Sequence, residues 1–139
     1  MGDETPGAGL QLNRNKKAAA CVVVVGPDAA GKSTLVQRLR KAGFDARSCA
    51  QDHSYVPDMW RRLSRPGFLI FLDASLETIA RRRPIAWGQD RLDALQKRLA
   101  HARQHCDLYV DTDEMTPGEV TEFVIRALFA AGITPQKRD

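Results

Sequence analysis

The chain has 139 residues, of which 43% are hydrophobic, and this length fits one compact domain but is too short for two ordinary ones. Because no apolar run approaches the roughly 20 residues of a membrane-spanning helix, and because the N-terminus lacks the layout of a signal peptide, we expect a cytoplasmic protein without a membrane segment. The net charge of +4 is modest, but residues 81–103 contain seven Lys or Arg against two Asp, which indicates a polyanionic ligand.

Other ligands and roles have weaker support in the sequence. A nucleic acid is the less favoured polyanion, because no aromatic side chains are interleaved with these basic residues, and a bound nucleotide needs the same charge. The cysteines, Cys21, Cys49 and Cys106, lie far apart in or beside predicted strands and are predicted to be buried thiols. The spacing of His101, His105 and Cys106 suits a metal on a helix, but no fourth ligand lies nearby in the sequence.

The hydrophobic pattern predicts alternating strands and helices after a polar tail, residues 1–17, which is predicted to be disordered. The apolar run from Ala18 to Val25 is typical of a strand buried on both faces of a parallel sheet. The other predicted elements are a helix at Ser33–Lys41, a weaker strand at Phe44–Ala50, a short helix at Met59–Leu63, a strand at Phe68–Asp73, a helix at Leu76–Arg83, a helix from about Arg91 to His105 and a strand at Leu108–Val110. A last helix is predicted up to Ala131, with Thr116 as its cap and Pro117 at its first position. This alternation predicts an α/β domain over residues 18–139, a three-layer sandwich on a mostly parallel sheet of about four to five strands.

The segment between the first strand and the first helix is a complete Gly-x4-Gly-Lys-Ser phosphate-binding loop, so the predicted fold is of the P-loop NTPase type. In such a loop the backbone N–H groups and the positive end of the helix dipole surround a phosphate. We therefore expect ATP or GTP to bind here with Mg²⁺. Lys32 is predicted at the β and γ phosphates, the hydroxyl of Ser33 on Mg²⁺, and Thr34 near the α phosphate. The predicted nucleotide contacts in this loop are Gly26, Asp28, Ala29, Ala30, Gly31, Lys32, Ser33 and Thr34.

Three stretches of the chain resemble P-loop nucleotide and shikimate kinases. The loop, which reads Gly-Pro-Asp-Ala-Ala-Gly-Lys-Ser-Thr, resembles the Gly-x-Asp-Gly-Ala-Gly-Lys-Ser-Thr loop of thymidylate-kinase-like enzymes. Residues 68–82 are similar to the strand and Asp-x-x-x-Glu-x4-Arg segment that leads into the lid of thymidylate and shikimate kinases. Residues 107–120 resemble the last strand and following helix start of shikimate-kinase-like proteins.

The chain also departs from the kinases that it resembles. Ala29 replaces a glycine of the family loop. Between Gly43 and Phe68 there is room for one strand and one short helix, where family members carry roughly an extra strand-helix unit and substrate-binding helices. The resemblance therefore implies a truncated member whose acceptor-binding part is reduced or lost.

Two acidic residues are candidates for catalysis or for metal binding. Asp52 follows the second strand, and ligands of such sheets bind beyond the C-terminal strand ends. It resembles either the acidic residue that ends the second strand in shikimate kinases or the Asp of the thymidylate-kinase Asp-Arg-Tyr motif, with His53 in place of Arg; a helix cap or turn residue is the alternative. Asp73 ends an apolar run as a Walker B acid does, although in these kinases this Asp more often shapes the turn before the lid.

Basic and polar residues of the second half complete the predicted site. Arg81, Arg82 and Arg83 point about 100° apart on a helix, so they cannot all reach one phosphate. Arg82 occupies the lid position of the family, where a guanidinium neutralises the transferring phosphoryl group; a solvated basic face is the alternative. In the resemblance, Thr112 and Asp113 follow the last strand where the base is held, and they are candidates for the purine edge.

Together these features predict a kinase that transfers the γ-phosphoryl group of ATP to a small molecule or a nucleotide. The predicted catalytic residues are Lys32, Asp52 and Arg82, and the predicted metal ligands are Ser33, Asp52 and Asp73. The alternative is a nucleotide-binding switch or a slow NTPase that acts through a protein partner, which the missing acceptor-binding part favours.

Overall fold

The structure is a computed structural model of the chain, in which residues 21–27, 29–51, 54–64 and 67–135 are described. Within these residues the chain forms four strands and five helices, in the order β1 Val22–Val25, α1 Lys32–Lys41, β2 Ala46–Ser48, α2 Met59–Ser64, β3 Phe68–Asp73, α3 Leu76–Arg82, α4 Gln89–His105, β4 Leu108–Asp111 and α5 Pro117–Ala130. The predicted tail, residues 1–17, lies outside the described residues, as do Asp28, Asp52 and His53. No helix in the described ranges is long and apolar enough to cross a membrane.

The four strands form one all-parallel sheet in the order β2-β1-β3-β4. β1 pairs with a strand on each side, so that Val24 is opposite Ser48 of β2 and Ile70 of β3. All four residues of β1 and all six of β3 are buried, as expected for inner strands whose two faces are both covered. The predicted α/β class and parallel sheet are confirmed, and the arrangement is consistent with a three-layer sandwich.

Successive residues of a strand face opposite sides of the sheet, and the chain builds a hydrophobic core on each side. The first core contains Val22 and Val24 and buried side chains of α1, α3 and α5. The second core contains Val23 and Val25 and buried side chains of α2 and α4. The helices therefore cover both faces of the sheet, and Leu92 at the start of α4 also joins the first core.

All three cysteines lie at the second core and carry free thiols. Cys49 is buried, whereas Cys21 and Cys106 are half-buried and pack against the core from its edge. Burial raises the pKa of Cys21 and of Cys106, and nearby carboxylates raise it further. These two thiols are consequently protonated at neutral pH. The predicted burial is confirmed for Cys49 and only in part for Cys21 and Cys106.

Most element boundaries differ from the predicted ones by a few residues, and for two elements the hydrogen bonds show why. β2 is shorter than the predicted strand at 44–50, because the N–H of Phe44 donates to the carbonyl of Leu39 at 2.9 Å and so belongs to the turn after α1. α4 starts two residues before the predicted start, at Gln89, because the carbonyl of Gly88 accepts the first hydrogen bonds of the helix.

The strand order creates a crevice between β1 and β3. From β1 the chain continues to β2 on one side, and it then crosses to β3 on the other side of β1. In open parallel sheets, ligands bind outside the C-terminal strand ends at the point where the direction of the connections reverses. The predicted phosphate-binding loop follows β1 at this point, and Asp73 ends the neighbouring strand, β3.

Candidate functional site

The loop between β1 and α1 depends on glycine at both of its ends. Gly26 has a φ of +154°, and a β-carbon there would overlap the carbonyl oxygen of Leu72 in β3, so only glycine fits. Gly31 has a φ of +106° with open space around it. Ala29, with a φ of +61°, is the one non-glycine residue with a positive φ in the part of the chain that the structure describes. It stands where the loop of the resembled kinases has glycine, the residue for which a positive φ carries no steric cost.

The N-terminus of α1 faces the site without a side chain that caps it, because its N-cap is Gly31. The first hydrogen bond of the helix runs from the N–H of Leu35 to the carbonyl of Gly31 at 3.0 Å, so the preceding N–H groups lie ahead of the helical ladder. The Nζ of Lys32 folds back over the loop and donates to the carbonyl of Gly26 at 2.5 Å. Backbone N–H groups, the helix dipole and an ammonium group therefore meet at this end, and all three favour an anion.

A cavity of about 460 Å³ adjoins the N-terminus of α1. Its lining begins with residues 29–35 of the loop and the first turns of α1. The other described lining residues come from the end of α3, from the connection after β4 and from the start of α5: Arg82, Arg83, Thr112, Met115, Pro117 and Val120. The lining thus includes three basic side chains and, within the described residues, no acidic one. Its volume suits a small ligand, and its charge favours an anionic one.

Arg82 connects the parts of the chain that surround this cavity. Its Nη1 donates to the carbonyl of Ala29 and to the hydroxyl of Thr112, both at 3.0 Å, and its Nη2 donates to the carbonyl of Thr112 at 2.5 Å. The hydroxyl of Thr112 lies 2.9 Å from the carbonyl of Asp73 and 3.3 Å from that of Ala30. The loop, α3, the end of β3 and the connection after β4 are therefore held together through main-chain carbonyls.

Two of the three consecutive arginines reach the cavity, and the third does not. Arg82 and Arg83 line the cavity, whereas Arg81 donates to the hydroxyl of Thr78 on its own helix at 3.4 Å. Arg83 is the C-cap residue that follows α3, and its N–H donates to the carbonyl of Ile79 at 3.1 Å. The residue in the predicted lid position, Arg82, thus lies at the cavity.

The two residues predicted at the purine edge have different surroundings. Thr112 lines the cavity, but its hydroxyl is already hydrogen-bonded within the protein. Asp113 is not among the described lining residues; its Oδ1 accepts the N–H of Ser75, the N-cap of α3, at 2.8 Å. Burial on its own raises the pKa of Asp113, but hydrogen bonds from Ser75 and Thr78 and the charge of Arg82 outweigh it and hold that pKa below its usual value. Asp113 therefore stays ionised and attaches α3 to the connection after β4.

Asp73, a predicted metal ligand, has its carboxylate bound by α4 and β4. Oδ1 accepts the N–H of Ala74 and the amide of Gln96, both at 2.9 Å. Oδ2 accepts the guanidinium of Arg103 at 2.9 Å and the hydroxyl of Tyr109 at 2.6 Å. Burial raises the pKa of Tyr109, and the hydrogen bond and charge of Asp73 raise it further, so Tyr109 remains a donor. A metal ion at Asp73 would have to replace some of these four donors, and this role stays a prediction.

The segment that follows β2 is held by a glutamine that the sequence analysis did not single out. Gln51 is completely buried; its Nε2 donates to the carbonyls of Val56 and Arg98 at 2.8 and 3.2 Å, and its Oε1 accepts the N–H of Trp60 at 2.7 Å. It attaches α2 and the residues before it to α4. The next residue, Asp52, lies outside the described ranges, so its predicted role as base or metal ligand stays a prediction. Among the described residues no group of three or more His, Cys, Asp or Glu side chains suits a metal ion.

The apolar part of the cavity was also missed from the sequence. Met115, Pro117 and Val120 line it, yet the sequence analysis assigned Pro117 only to a helix start. Pro117 and Val120 are three residues apart at the N-terminus of α5, and this spacing puts them on one face of a helix. An apolar helix face directly after the last strand was therefore the sequence signal that could have indicated this part of the cavity.

Comparison with known proteins does not extend the resemblance. The chain matches no protein-family model, and a search of curated proteins finds no significant match. The functional interpretation therefore depends on the motif, the topology and the geometry of the cavity.

Proposed function

We propose that this chain is a P-loop kinase that binds ATP or GTP with Mg²⁺ and transfers the γ-phosphoryl group to a small molecule or a nucleotide. One observation carries the proposal: the Gly-x4-Gly-Lys-Ser loop, the N-terminus of α1 and Arg82 of α3 border one cavity. The position of this cavity at the C-terminal ends of β1 and β3 supports the same conclusion, since parallel α/β sheets bind nucleotides there.

The lining of the cavity suits both chemical parts of a nucleotide. Lys32 and the N-terminal N–H groups of α1 suit the phosphates, and Lys32 would exchange the carbonyl of Gly26 for phosphate oxygens. The apolar side chains of Leu35, Met115 and Val120 suit the face of a base, which needs little hydrogen bonding. A nucleoside triphosphate therefore matches the cavity better than a free phosphate does.

The residues near the loop also fit a magnesium ion. Mg²⁺ takes oxygen ligands and is usually held by one or two protein groups together with phosphate oxygens and water. The exposed hydroxyl of Ser33 suits one such position, and Asp52 is the candidate for a second. Asp73 is less available than Ser33, because its carboxylate already accepts four hydrogen bonds. When bound, Mg²⁺ would neutralise charge on the phosphates.

Phosphoryl transfer requires positioning and charge neutralisation more than covalent chemistry from the protein. Lys32 supplies positive charge at the phosphates, and Arg82 supplies it from the opposite element, α3. Asp52 would hold the proton of the acceptor hydroxyl or orient the attacking group, as predicted from its position after β2.

Replacement of the loop lysine tests the proposal. We expect Lys32→Ala to weaken ATP binding about 100-fold, since a charge-assisted hydrogen bond contributes roughly 1.5–3 kcal/mol and about 1.4 kcal/mol is tenfold. Isothermal titration calorimetry with ATP and Mg²⁺ measures the loss, and thermal unfolding verifies that the variant is folded. Lys41→Ala, at the other end of the same helix, is the matched control and should bind ATP like the wild type. Equal affinities of a folded Lys32→Ala variant and the wild type would overturn the assignment of the loop.

A nucleotide-binding switch or slow NTPase is the second candidate function. It is supported by the small size of the region between α1 and β3, where the described residues form a strand of three residues and a helix of six. Such a region offers little surface for an acceptor. ADP production that depends on an added acceptor would support the kinase, whereas retention of a protein partner only in the presence of nucleotide would support the switch.

A further inference from the structure

The guanidinium of Arg82 is held along one of its edges. Thr112 binds the end of the guanidinium, the edge formed by Nη1 and Nη2: its hydroxyl accepts from Nη1 and its carbonyl accepts from Nη2. The carbonyl of Ala29 takes the remaining N–H of Nη1. Within the described chain these are the hydrogen bonds of Arg82, so Nε and the second N–H of Nη2 are left. Those two donors form the side edge of a guanidinium, which is one of the two edges that bind phosphate oxygens in pairs.

Thr112 is built to hold this group firmly. Its residue is 1% exposed, and both its N–H and its hydroxyl lie within hydrogen-bond distance of the carbonyl of Asp73, at 3.0 and 2.9 Å. The hydroxyl therefore donates its proton to a main-chain carbonyl at the end of β3 and uses a lone pair to accept from Arg82. Serine could replace it in this double role, and valine could not.

Arg83 provides a contrast within the same cavity. It lines the cavity beside Arg82, but its side chain makes no hydrogen bond to the described part of the protein. A long flexible cation must lose rotamer freedom when it binds a ligand, whereas a cation that is already fixed does not. Of the two arginines, Arg82 is the one whose orientation is set before a ligand arrives.

We infer that Thr112 is a positioning residue that fixes Arg82 so that the side edge of its guanidinium serves the phosphate chain of a nucleotide in the cavity. This inference rests on the proposed function, and it replaces the role at the purine edge that the sequence suggested for Thr112. Its consequence is that the Thr112 hydroxyl acts on turnover through Arg82 and does not contact the nucleotide itself. A fixed guanidinium stabilises developing charge without reorganisation during the reaction.

Kinetics of Thr112 variants test the inference with ATP alone, through its slow hydrolysis. Thr112→Val should lower kcat on the order of tenfold with KM for ATP within about twofold, because only the orientation of Arg82 is lost. Thr112→Ser should retain most of kcat. In an Arg82→Ala background, Thr112→Val should cause little further loss, since its effect passes through the missing guanidinium. Thr78→Val, which removes another buried threonine hydroxyl of the region, is the matched control.

A second readout requires no nucleotide. In ¹⁵N NMR spectra of the wild type, the two Nη groups of Arg82 should give separate signals, because three hydrogen bonds hinder rotation of the guanidinium; Arg82→Lys identifies them. Thr112→Val should merge or broaden these signals, and Thr78→Val should leave them unchanged. Merged signals in the wild type, or equal kinetic losses from Thr112→Val with and without Arg82, would overturn the inference while ATP binding stands. Absence of ATP binding by the wild type would instead overturn the proposed function, and the inference with it.

Discussion

The two sides of the sheet differ in the groups that accept hydrogen bonds near the C-terminal strand ends. On the side of α1, α3 and α5, the donors Lys32, Arg82 and Thr112 bind main-chain carbonyls of the loop, of β3 and of the β4–α5 connection. On the side of α4, Gln51 also binds carbonyls, but the acceptor at the end of β3 is the carboxylate of Asp73, which binds other side chains such as Arg103. The first side surrounds the cavity, and the second does not.

The side that surrounds the cavity therefore has donors that a ligand can use, whereas the hydrogen bonds of the Asp73 carboxylate are already complete. If Lys32 moves to a phosphate, the carbonyl of Gly26 keeps a second lone pair, so this exchange costs little, whereas Arg82 keeps its carbonyl partners and offers its remaining donors. The carboxylate of Asp73 is buried and satisfied by four donors, and removal of any of them leaves a buried charge short of a partner. The first side is therefore suited to ligand binding, and the second to holding the sheet and α4 together.

The largest loss of stability is expected from glycine substitutions in the loop on the first side. We expect Gly26→Ala to lower the free energy of unfolding by about 3 kcal/mol, because its β-carbon would overlap the carbonyl of Leu72 and its φ is strained for alanine. Gly31→Ala meets no such overlap and should cost only about 1 kcal/mol, the strain of a positive φ. Urea denaturation of both variants measures the difference. Similar losses for the two would show that close approach to β3 is not what requires glycine at residue 26.

Replacement of Asp73 tests the side of α4. Asp73→Asn should lower the free energy of unfolding by about 2 kcal/mol without any ligand, because an amide nitrogen would face the donors Arg103 and Tyr109, the first of which is partly exposed and screened. Asp111→Asn, an exposed carboxylate that accepts the N–H of Asp113, is the matched control and should cost less than about 0.5 kcal/mol.

The same variant decides between the two roles of Asp73. If its carboxylate is structural, Asp73→Asn should leave the Mg²⁺ dependence of ATP binding unchanged, as measured by calorimetry over a range of Mg²⁺ concentrations. A large shift in that dependence with unchanged stability would support the metal role that the apolar run before Asp73 suggested.

The difference between the two sides also explains what the sequence could predict. The loop from Gly26 to Ser33 is visible in the sequence because the backbone itself demands particular residues at fixed, short spacings. The parallel sheet was predictable from the runs in β1 and β3, since strands covered on both faces are apolar throughout. Both signals are local.

Side-chain networks leave no such local signal. Arg82 and Thr112 are 30 residues apart, and the bond from Gln51 to the carbonyl of Arg98 spans 47 residues. Pairing of this kind depends on the register between helices and strands, which a single sequence does not display. For that reason the position of Arg82 at the cavity was predicted through a family resemblance, whereas its bonds to Thr112 and the burial of Gln51 were not predicted.

The smallest expected effect concerns histidine on the second side. The indole N–H of Trp60 in α2 donates to Nδ1 of His101 in α4 at 3.1 Å, and the rings of His101 and His105 stack with centroids 4.2 Å apart. Burial lowers the pKa of His101, and the neighbouring His105 and Arg61 lower it further, against an opposing effect of Asp58. Protonation at Nδ1 would remove the acceptor of the Trp60 bond. The second side thus contains a contact that is weakened by acid.

We therefore expect the free energy of unfolding to be constant above about pH 7 and to fall as the pH decreases below about 6.5, the unperturbed pKa of histidine. The sign follows because His101 binds a proton more readily in the unfolded chain than in the folded one, so acid favours unfolding until the folded pKa is passed. Urea denaturation between pH 5.5 and 7.5 measures the slope, and fluorescence of a Trp87→Phe variant, in which Trp60 is the remaining tryptophan, follows the contact directly. His101→Gln supplies an acceptor that does not titrate and should flatten part of the slope, whereas His105→Gln should retain the Trp60 bond and most of its acid sensitivity, because burial, the largest cause of the lowered pKa of His101, remains. A slope that is identical in wild type and His101→Gln would mean that the Trp60–His101 contact does not respond to pH, and that other groups carry the acid dependence of this side.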